Sequence, residues 1–169
     1  MGTQAQEADV EFASVRVSCP DDAGIILGQS HFIKTVEDLY EIMVTSGPGI
    51  RFGVAFAEAS GPCLVRHDGN DHGLEEAAVR IMTDIGAGHA FAIVLAGGYP
   101  INVLNAVKGC QEVCGIYCAT SNPVDVIVAV AGQGRAILGV VDGSSPAGVE
   151  GEGEASARRS FLRAIGYKR

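Results

Sequence analysis

The sequence predicts an α+β fold in which helices pack against a mixed β-sheet. Helical and strand-like segments are interspersed along the 169 residues without strict alternation, and a short glycine-rich turn separates the last two apolar strands, as in a hairpin. A chain of this length forms one domain and buries roughly 70 % of the surface that its unfolded form exposes. We predict a single domain over residues 10–169, preceded by a loose polar tail over residues 1–9.

Apolar periodicity and turn residues define the elements of the N-terminal half. Strands are predicted at 10–17, 50–59 and 63–67, the last two paired as a hairpin, and residues 25–27 form a short apolar segment. The first helix begins at about residue 36 and ends near Ser46, before a Gly-Pro-Gly sequence. A second helix follows a turn at 68–73 and carries its apolar side chains at helical spacing up to Ile85.

The C-terminal half is richer in strands. We predict a strand at 90–95, a short helix that begins at Pro100, and three buried strands at 113–119, 124–130 and 136–141. An acidic, glycine-rich segment follows, and residues 155–165 form a closing helix.

Composition excludes several classes of function. Hydrophobic residues make up 47 % of the chain and charged residues 19 %, which excludes disorder and a coiled coil. The net charge of −8 and the lack of a basic cluster argue against nucleic acid as a partner. The five cysteines, an odd number, fit reduced thiols, and neither a signal peptide nor an apolar run of transmembrane length is present. We therefore expect a cytoplasmic protein without membrane contact.

A polar loop that runs into the first helix carries the residues best suited to chemistry. Thr35 is a favourable N-cap, and Asp38 stands where a capping box places Glu or Gln. Unpaired amides at such a helix start attract anions, and His31 and Lys34 lie just upstream, so this segment is a candidate phosphate site. Glu37 and Asp38 also favour the alternative of an ordinary capped helix after a surface loop.

The chemistry available to this loop is phosphoryl transfer. A neutral imidazole such as that of His31 is a competent nucleophile towards phosphorus, and the ammonium group of Lys34 would offset charge on the transferring group. His89 precedes a strongly apolar strand, where a histidine is more often a core residue that bonds to the backbone. Asn102, Asn105 and Asn122 offer amides for a nucleobase or ribose, although their alternative roles on a helix surface and in a pre-proline turn are equally compatible with the sequence.

Standard nucleotide and metal motifs are missing from the sequence. There is no Walker A loop, no dinucleotide fingerprint, no nucleophile elbow and no paired-cysteine zinc pattern. Cys110, Cys114 and Cys118 would share one face of a helix, but residues 113–119 are predicted as a strand, which argues against a helical metal site there. The stretch 67–72 contains two histidines, but its composition is typical of a turn. We predict no resident metal site.

Five sequence motifs resemble those of the adenosine-specific kinase family. They are LGQSHFIKTVEDLY at 27–40, GAGH at 86–89, PINVLNA at 100–106, CATSNP at 118–123 and GRAILGVVDG at 134–143. They occur in order, and the resemblance spans about residues 10–169. It implies an α+β fold, a trimeric assembly, binding of adenosine or AMP, and a phosphorylated histidine in at least one member. The resemblance does not decide between His31 and His89, and the residues themselves favour His31.

The leading hypothesis is a phosphotransferase that acts on adenosine, with His31 as phosphate carrier and Lys34 as anion stabiliser. The remaining candidate nucleotide-binding residues are Gln29, Ser30, Thr35, His89, Asn102, Asn105, Asn122 and Asp142. Mg²⁺ is expected only if a nucleoside triphosphate is the donor. The alternatives are a non-catalytic AMP-binding or adenosine-binding module, which the lack of a triphosphate motif favours, and a purely structural trimer.

Overall fold

The computed structural model describes residues 9–169 and contains eight strands and four helices within that range. In chain order they are β1 (Glu11–Val17), β2 (Gly24–Ser30), α1 (Thr35–Ser46), β3 (Arg51–Ala57), β4 (Val65–Gly69), α2 (His72–Ile85), β5 (Ala90–Ala96), α3 (Pro100–Lys108), β6 (Val113–Thr120), β7 (Val124–Ala131), β8 (Gly134–Asp142) and α4 (Glu152–Ala164). The predicted α+β class is confirmed. The predicted tail at 1–9 lies outside the described residues except for Asp9.

The strands form two antiparallel sheets instead of the single mixed sheet that we predicted. One sheet has five strands in the order β4-β3-β5-β2-β6, and the other has three in the order β1-β7-β8. Helices α1, α2 and α3 each connect two parallel strands, which usually favours parallel neighbours. Here each helix crosses over an intervening strand that runs the opposite way, so every adjacent pair is antiparallel.

The five-stranded sheet lies in the middle of the molecule, and its three central strands, β3, β5 and β2, are buried on both faces. On one face, α1 and α3 pack through Leu39, Met43 and Val103 against a cluster that includes Phe52 and Phe91. The other face is covered by α2 and by the three-stranded sheet. The strands β3 and β5 are apolar along nearly their whole length because neither of their faces meets solvent.

The three-stranded sheet is buried on one face only. Val124, Val126 and Val128 of β7 point inward and are buried, whereas β8 is mostly exposed. The predictions that residues 113–119 and 136–141 form buried strands are wrong about burial, since most residues of β6 and β8 are half-buried or exposed. Apolar composition alone does not tell whether a second layer covers a strand. Both predicted hairpins, β3–β4 and β7–β8, are present.

The start of α1 differs from the prediction. β2 continues to Ser30, so residues that we assigned to a loop pair with β5 and β6 on both sides. The N-cap position of α1 is Lys34 and not Thr35, and no side chain caps this helix. Thr35 is instead its first helical residue, and its hydroxyl donates to the carbonyl of Phe32. Across residues 9–169, no helix combines the length and apolar character needed to span a bilayer.

Candidate functional site

The predicted site residues lie at opposite ends of the five-stranded sheet. The end of β2 near Ser30 adjoins the starts of β5 and β6, and it carries His31, Lys34 and His89. The end near Gly24 adjoins Thr120 and the start of α3. A seven-residue strand at about 3.3 Å per residue separates the two ends by roughly 20 Å. The structure therefore divides the predicted site into two groups.

At the first end, the two histidines occupy neighbouring loops. The amide of Ser30 donates to the carbonyl of His89 at 2.9 Å, and the next residue, His31, donates its amide to the carbonyl of Glu112 at 3.2 Å. The ring of His31 is exposed and stacks on Phe32, with 6.5 Å between the ring centroids. Both histidines thus lie at the same end of the five-stranded sheet.

His89 has a backbone conformation that is uncommon for a residue other than glycine. Its φ is 61°, in the left-handed region. Its amide donates to the carbonyl of Ala57 at 2.7 Å, and its half-buried ring stacks on Phe56 with 5.9 Å between centroids. Such backbone conformations persist where the surrounding structure holds them, and they occur more often at functional sites.

Lys34 is already paired with carboxylates. Its Nζ contacts Asp38 one helical turn away and lies 2.8 Å from Oε1 of Glu112. The contact with Lys34 holds the pKa of the buried Glu112 carboxyl well below its usual range, and the hydrogen bonds to Asp38 and Glu112 raise the pKa of Lys34. Two carboxylates around one ammonium group disfavour a phosphate beside it.

The same carboxylates form the one cluster of potential metal ligands found within residues 9–169. The ligand atoms of Asp38, Cys110 and Glu112 lie within 4.8 Å of one another. The thiol of Cys110 donates to Glu112 at 3.2 Å, and Lys34 already supplies a cation to both carboxylates. A cationic side chain of the protein therefore already lies where a metal ion would bind these carboxylates.

The remaining predicted residues at this end, Ser30, Gln29 and Thr35, do not face one common site. The hydroxyl oxygen of Ser30 is buried and has no hydrogen-bond partner among the described residues. Gln29 points to the opposite face of the sheet, where its side-chain oxygen accepts from the Tyr117 hydroxyl at 3.4 Å. Thr35 is buried, and the Phe32 carbonyl engages its hydroxyl.

At the other end of the sheet lies a cavity of about 840 Å³. This volume falls within the usual range of roughly 300–1,000 Å³ for small-molecule sites. Its walls are the turn after β1, the loop between β5 and α3, and the turn between β6 and β7. The lining residues are Val17, Ser18, Cys19, Pro20, Asp21, Asp22, Ala23, Ile25, Gly97, Gly98, Tyr99, Thr120, Ser121, Asn122 and Pro123.

A hydrogen-bond network fixes one wall of this cavity. Oδ1 of Asp142 accepts from the Thr120 hydroxyl at 2.8 Å and from the Asn122 amide group at 2.9 Å. The backbone amide of Asn122 also donates to the Thr120 hydroxyl oxygen at 3.0 Å. Asn122 lines the cavity, and Asp142, which does not line it, fixes the Asn122 side chain through a hydrogen bond.

The opposite wall is formed by Tyr99, immediately before α3. Its ring is largely exposed, and its backbone amide donates to Oδ1 of Asn102 at 2.8 Å. The amide nitrogen of Asn102 lies 3.4 Å from the hydroxyl of Tyr167, near the C-terminus. Asn105 is exposed further along α3 and does not line the cavity.

Sequence reasoning missed most of the cavity. Asn122 is the only predicted binding residue among its lining residues, with Asn102 and Asp142 just behind. Asp21, Asp22 and Tyr99 lie between the predicted elements, in segments whose composition is typical of turns, and turn-forming residues share that composition with ligand-binding residues. The cavity could have been predicted from the order of the elements, because loops that leave the same end of a sheet lie close together in space.

Comparison with known proteins places nearly the whole chain in one family. The crystal structure of the PH1918 protein from Pyrococcus horikoshii OT3 is 42 % identical in sequence and superposes with a TM-score of 0.92, and the match covers 95 % of this chain and 99 % of that one. No curated protein matches the chain. The family model described as adenosine specific kinase matches residues 15–168, which include both ends of the five-stranded sheet. The chain therefore belongs to the adenosine specific kinase family.

Proposed function

We propose that the chain binds adenosine in the cavity between Tyr99 and Asn122. The observation that carries this proposal is the cavity itself, which combines an exposed aromatic ring, a fixed carboxamide and several hydroxyl groups at one site. The ring of Tyr99 provides a stacking surface for a purine, and such stacking contributes about 1–3 kcal/mol. The amide of Asn122 is suited to the donor and acceptor edge of adenine.

Charge favours the neutral nucleoside over AMP. The described residues that line the cavity include the carboxylates of Asp21 and Asp22 but no Lys or Arg. A phosphate would therefore meet like charge, whereas ribose hydroxyls can donate to these carboxylates. AMP is expected to bind more weakly than adenosine. Mg²⁺ prefers carboxylate and phosphate oxygens as ligands, so it should reduce the difference in affinity between AMP and adenosine.

Calorimetric titration of the full chain with adenosine and AMP tests this proposal. Tyr99→Ala should weaken adenosine binding by about 5- to 150-fold, while Tyr99→Phe keeps the ring and should bind nearly as well as the wild type. Asp22→Asn removes a negative charge from the cavity and should therefore improve AMP binding. Asparagine tolerates the left-handed backbone at this position, where φ is 62°. Equal affinities for adenosine in Tyr99→Ala and the wild type would contradict the assignment of the cavity.

The second candidate function is phosphoryl transfer through a histidine, with His31 as carrier and His89 as the alternative. It is favoured by the position of two histidines at one end of the five-stranded sheet and by the left-handed backbone of His89. The pairing of Lys34 with two carboxylates weighs against its role as the anion stabiliser. Transfer therefore ranks below binding as the proposed activity.

Distance constrains how such a transfer would occur. His31 and the cavity lie roughly 20 Å apart at opposite ends of β2 in one chain. A phosphate on His31 would reach adenosine only in the cavity of another copy, so this second function goes together with a trimer or another homo-oligomer. A non-catalytic binding module needs no such arrangement.

The two functions are separated by labelling. Incubation with a γ-labelled nucleoside triphosphate and Mg²⁺ should give an acid-labile, base-stable phosphate on the protein if the histidine carrier exists. Loss of the label in His31→Ala, with retention in His89→Ala, would identify the carrier. Adenosine binding without any label or any AMP formation would leave the binding module as the function.

A further inference from the structure

The two histidines of the stretch 67–72 lie in a groove between β4 and α2. The sequence predicts a turn here, but the structure places His67 within β4 and makes His72 the first residue of α2. The groove has a volume of about 420 Å³, and its lining residues are His67, His72, Glu75, Glu76, Val79 and Arg80. Imidazole and carboxylate groups, which four of these side chains carry, are the usual nitrogen and oxygen ligands of divalent transition metals.

Strand β4 holds His67 against α2. His67 pairs with Ala55 of β3, which belongs to the core cluster under α2, so the His67 side chain lies on the same face of the sheet as this helix. Its Nδ1 atom lies 2.6 Å from Oε1 of Glu75, in the first turn of α2. A carboxylate at this nitrogen fixes the orientation of the ring and leaves Nε2 with the lone pair, as is usual for metal-bound histidines.

Helix α2 brings His72 and Glu76 to the same groove. They stand one helical turn apart, with 3.4 Å between Nε2 of His72 and Oε1 of Glu76. His72 also precedes Glu75 by three residues, and side chains at this spacing are neighbours on a helix surface. Glu75 is therefore a neighbour of both imidazole groups.

One side-chain movement is needed before the groove can hold an ion. Within residues 9–169, three potential ligand atoms lie within 4.8 Å of one another only at Asp38, Cys110 and Glu112. His72 must therefore turn towards His67 before both rings can bind one ion. The His72 side chain is 85 % exposed, and exposed side chains change rotamer within nanoseconds. Charge favours a cation, since the lining residues include two carboxylates against a single guanidinium group.

We propose that this groove binds a divalent transition-metal ion such as Zn²⁺ through Nε2 of His67, the imidazole of His72 and the carboxylate of Glu76. Glu75 orients the His67 ring and does not contact the ion. Two imidazole nitrogens and one carboxylate oxygen form a ligand set typical of zinc, with a fourth position for water. Because β4 is an edge strand of the five-stranded sheet, the ion links this edge to α2.

Zinc titration of the full chain against a chromophoric chelator tests the proposal. The parent for all variants carries Cys63→Ser and Cys114→Ser, because exposed thiols also bind zinc. The parent should bind zinc saturably, and zinc should raise its melting temperature, whereas Mg²⁺, which prefers oxygen ligands, should not. Lack of saturable zinc binding by the folded parent would overturn the proposal.

Substitutions in the groove separate the ligands from the orienting residue. His72→Ala removes an exposed ligand and should cause the largest loss of zinc affinity. Glu75→Gln keeps an oxygen acceptor for His67 without the charge and should lower the affinity by about 10–100-fold. His31→Ala removes an exposed histidine outside the groove, so this matched control should keep the affinity of the parent. Equal zinc affinities of His72→Ala and the parent would contradict the site.

Cobalt distinguishes the groove from the competing cluster of Asp38, Cys110 and Glu112. Co²⁺ bound at that cluster has a thiolate ligand and shows thiolate-to-metal charge transfer, whereas Co²⁺ in the groove has only nitrogen and oxygen ligands. The parent should show the visible absorption of bound Co²⁺ without the thiolate band, and Cys110→Ser should leave this spectrum unchanged. A thiolate band that Cys110→Ser removes would assign the ion to the cluster and overturn the proposal. Circular dichroism checks that each variant is folded.

Discussion

Lys34 at the start of α1 and Glu112 just before β6 are joined by an ion pair of 2.8 Å between Nζ and Oε1. The side chain of Glu112 is nearly inaccessible to solvent, so the lysine is the cation that balances it. A buried carboxylate that loses its only cation is strongly destabilising, whereas the pair itself contributes less. This contact connects the loop after β2 with the loop before β6.

Lys34→Met should lower the melting temperature by several degrees near neutral pH. The pKa of Glu112 is lowered in the folded state, so its contribution to stability is complete above its usual pKa of about 4.3 and is lost as the pH falls further. The pKa of Lys34 is raised, so its contribution persists up to at least about pH 10. The difference between wild type and variant should therefore be constant from about pH 5 to 9 and should shrink in acid.

Lys108→Met is the matched control for that measurement. Lys108 is exposed at the end of α3 and belongs to none of the ion pairs found within residues 9–169. Its replacement should leave both the melting temperature and its pH profile near those of the wild type. An equal effect of both substitutions would show that the pair with Glu112 is not the cause.

Gly53→Ala should destabilise the fold by about 1–3 kcal/mol, measured by urea unfolding. A Cβ atom at Gly53 of β3 would come within 2.2 Å of the backbone of Glu75 in α2, and backbone cannot rotate away. Gly115→Ala in β6 is the control because nothing lies within 4 Å of its added Cβ. Similar unfolding midpoints for the two variants would contradict the close packing of α2 on β3.

The five cysteines should divide into two reactivity classes towards a thiol reagent. Cys63 and Cys114 are exposed and should react fast. Burial raises the pKa of the Cys118 thiol to about 11, and burial also raises the pKa values of Cys19 and Cys110, so these three should react slowly until the chain unfolds. Mass spectrometry of the native labelling time course gives the order directly.

Cys19 also reports on the proposed ligand. It lines the cavity, so saturating adenosine should slow its labelling further, while the labelling of Cys63 should not change. Unchanged labelling of Cys19 under conditions where calorimetry detects adenosine binding would place the nucleoside elsewhere.

Asp142→Ala should weaken adenosine binding without direct contact with the ligand. Its carboxylate accepts from both Thr120 and Asn122, and the lining residues of the cavity do not include it. Loss of the anchor frees the Asn122 amide, and at about 1 kcal/mol per hydrogen bond the affinity should fall roughly fivefold. Calorimetry with adenosine tests this, and Asp125→Ala, which removes an exposed ion pair with Arg16, is the control.

The sequence predicted the existence and type of most elements because their apolar periodicity is strong. The boundaries of α1 and β2 were less accurate because Gly28 and Gln29 resemble loop residues. In the structure Gly28 is needed because a Cβ atom at this position would come within 2.7 Å of both the Phe91 ring and the Gly115 carbonyl, which belong to distant segments. Strand pairing of this kind depends on tertiary structure, which local propensity does not report.

The candidate site was less predictable than the fold. Motif reasoning found His31 and Lys34, which lie at one end of the five-stranded sheet, and Asn122, which lies at the other. It could not detect that Lys34 is neutralised by Glu112, since the two residues meet only through the pairing of β2 with β6. The cavity was missed for the same reason, because its three walls come from loops that are distant in sequence.

The crossover arrangement of the five-stranded sheet has a consequence for synthesis of the chain. β2 pairs only with β5 and β6, so its apolar residues Ile25–Leu27 stay unpaired while α1, β3, β4 and α2 emerge from the ribosome. Contacts so distant in sequence make folding slow and leave aggregation-prone strands exposed. The newly made chain therefore exposes the apolar residues of β2 until the second half of the domain is complete.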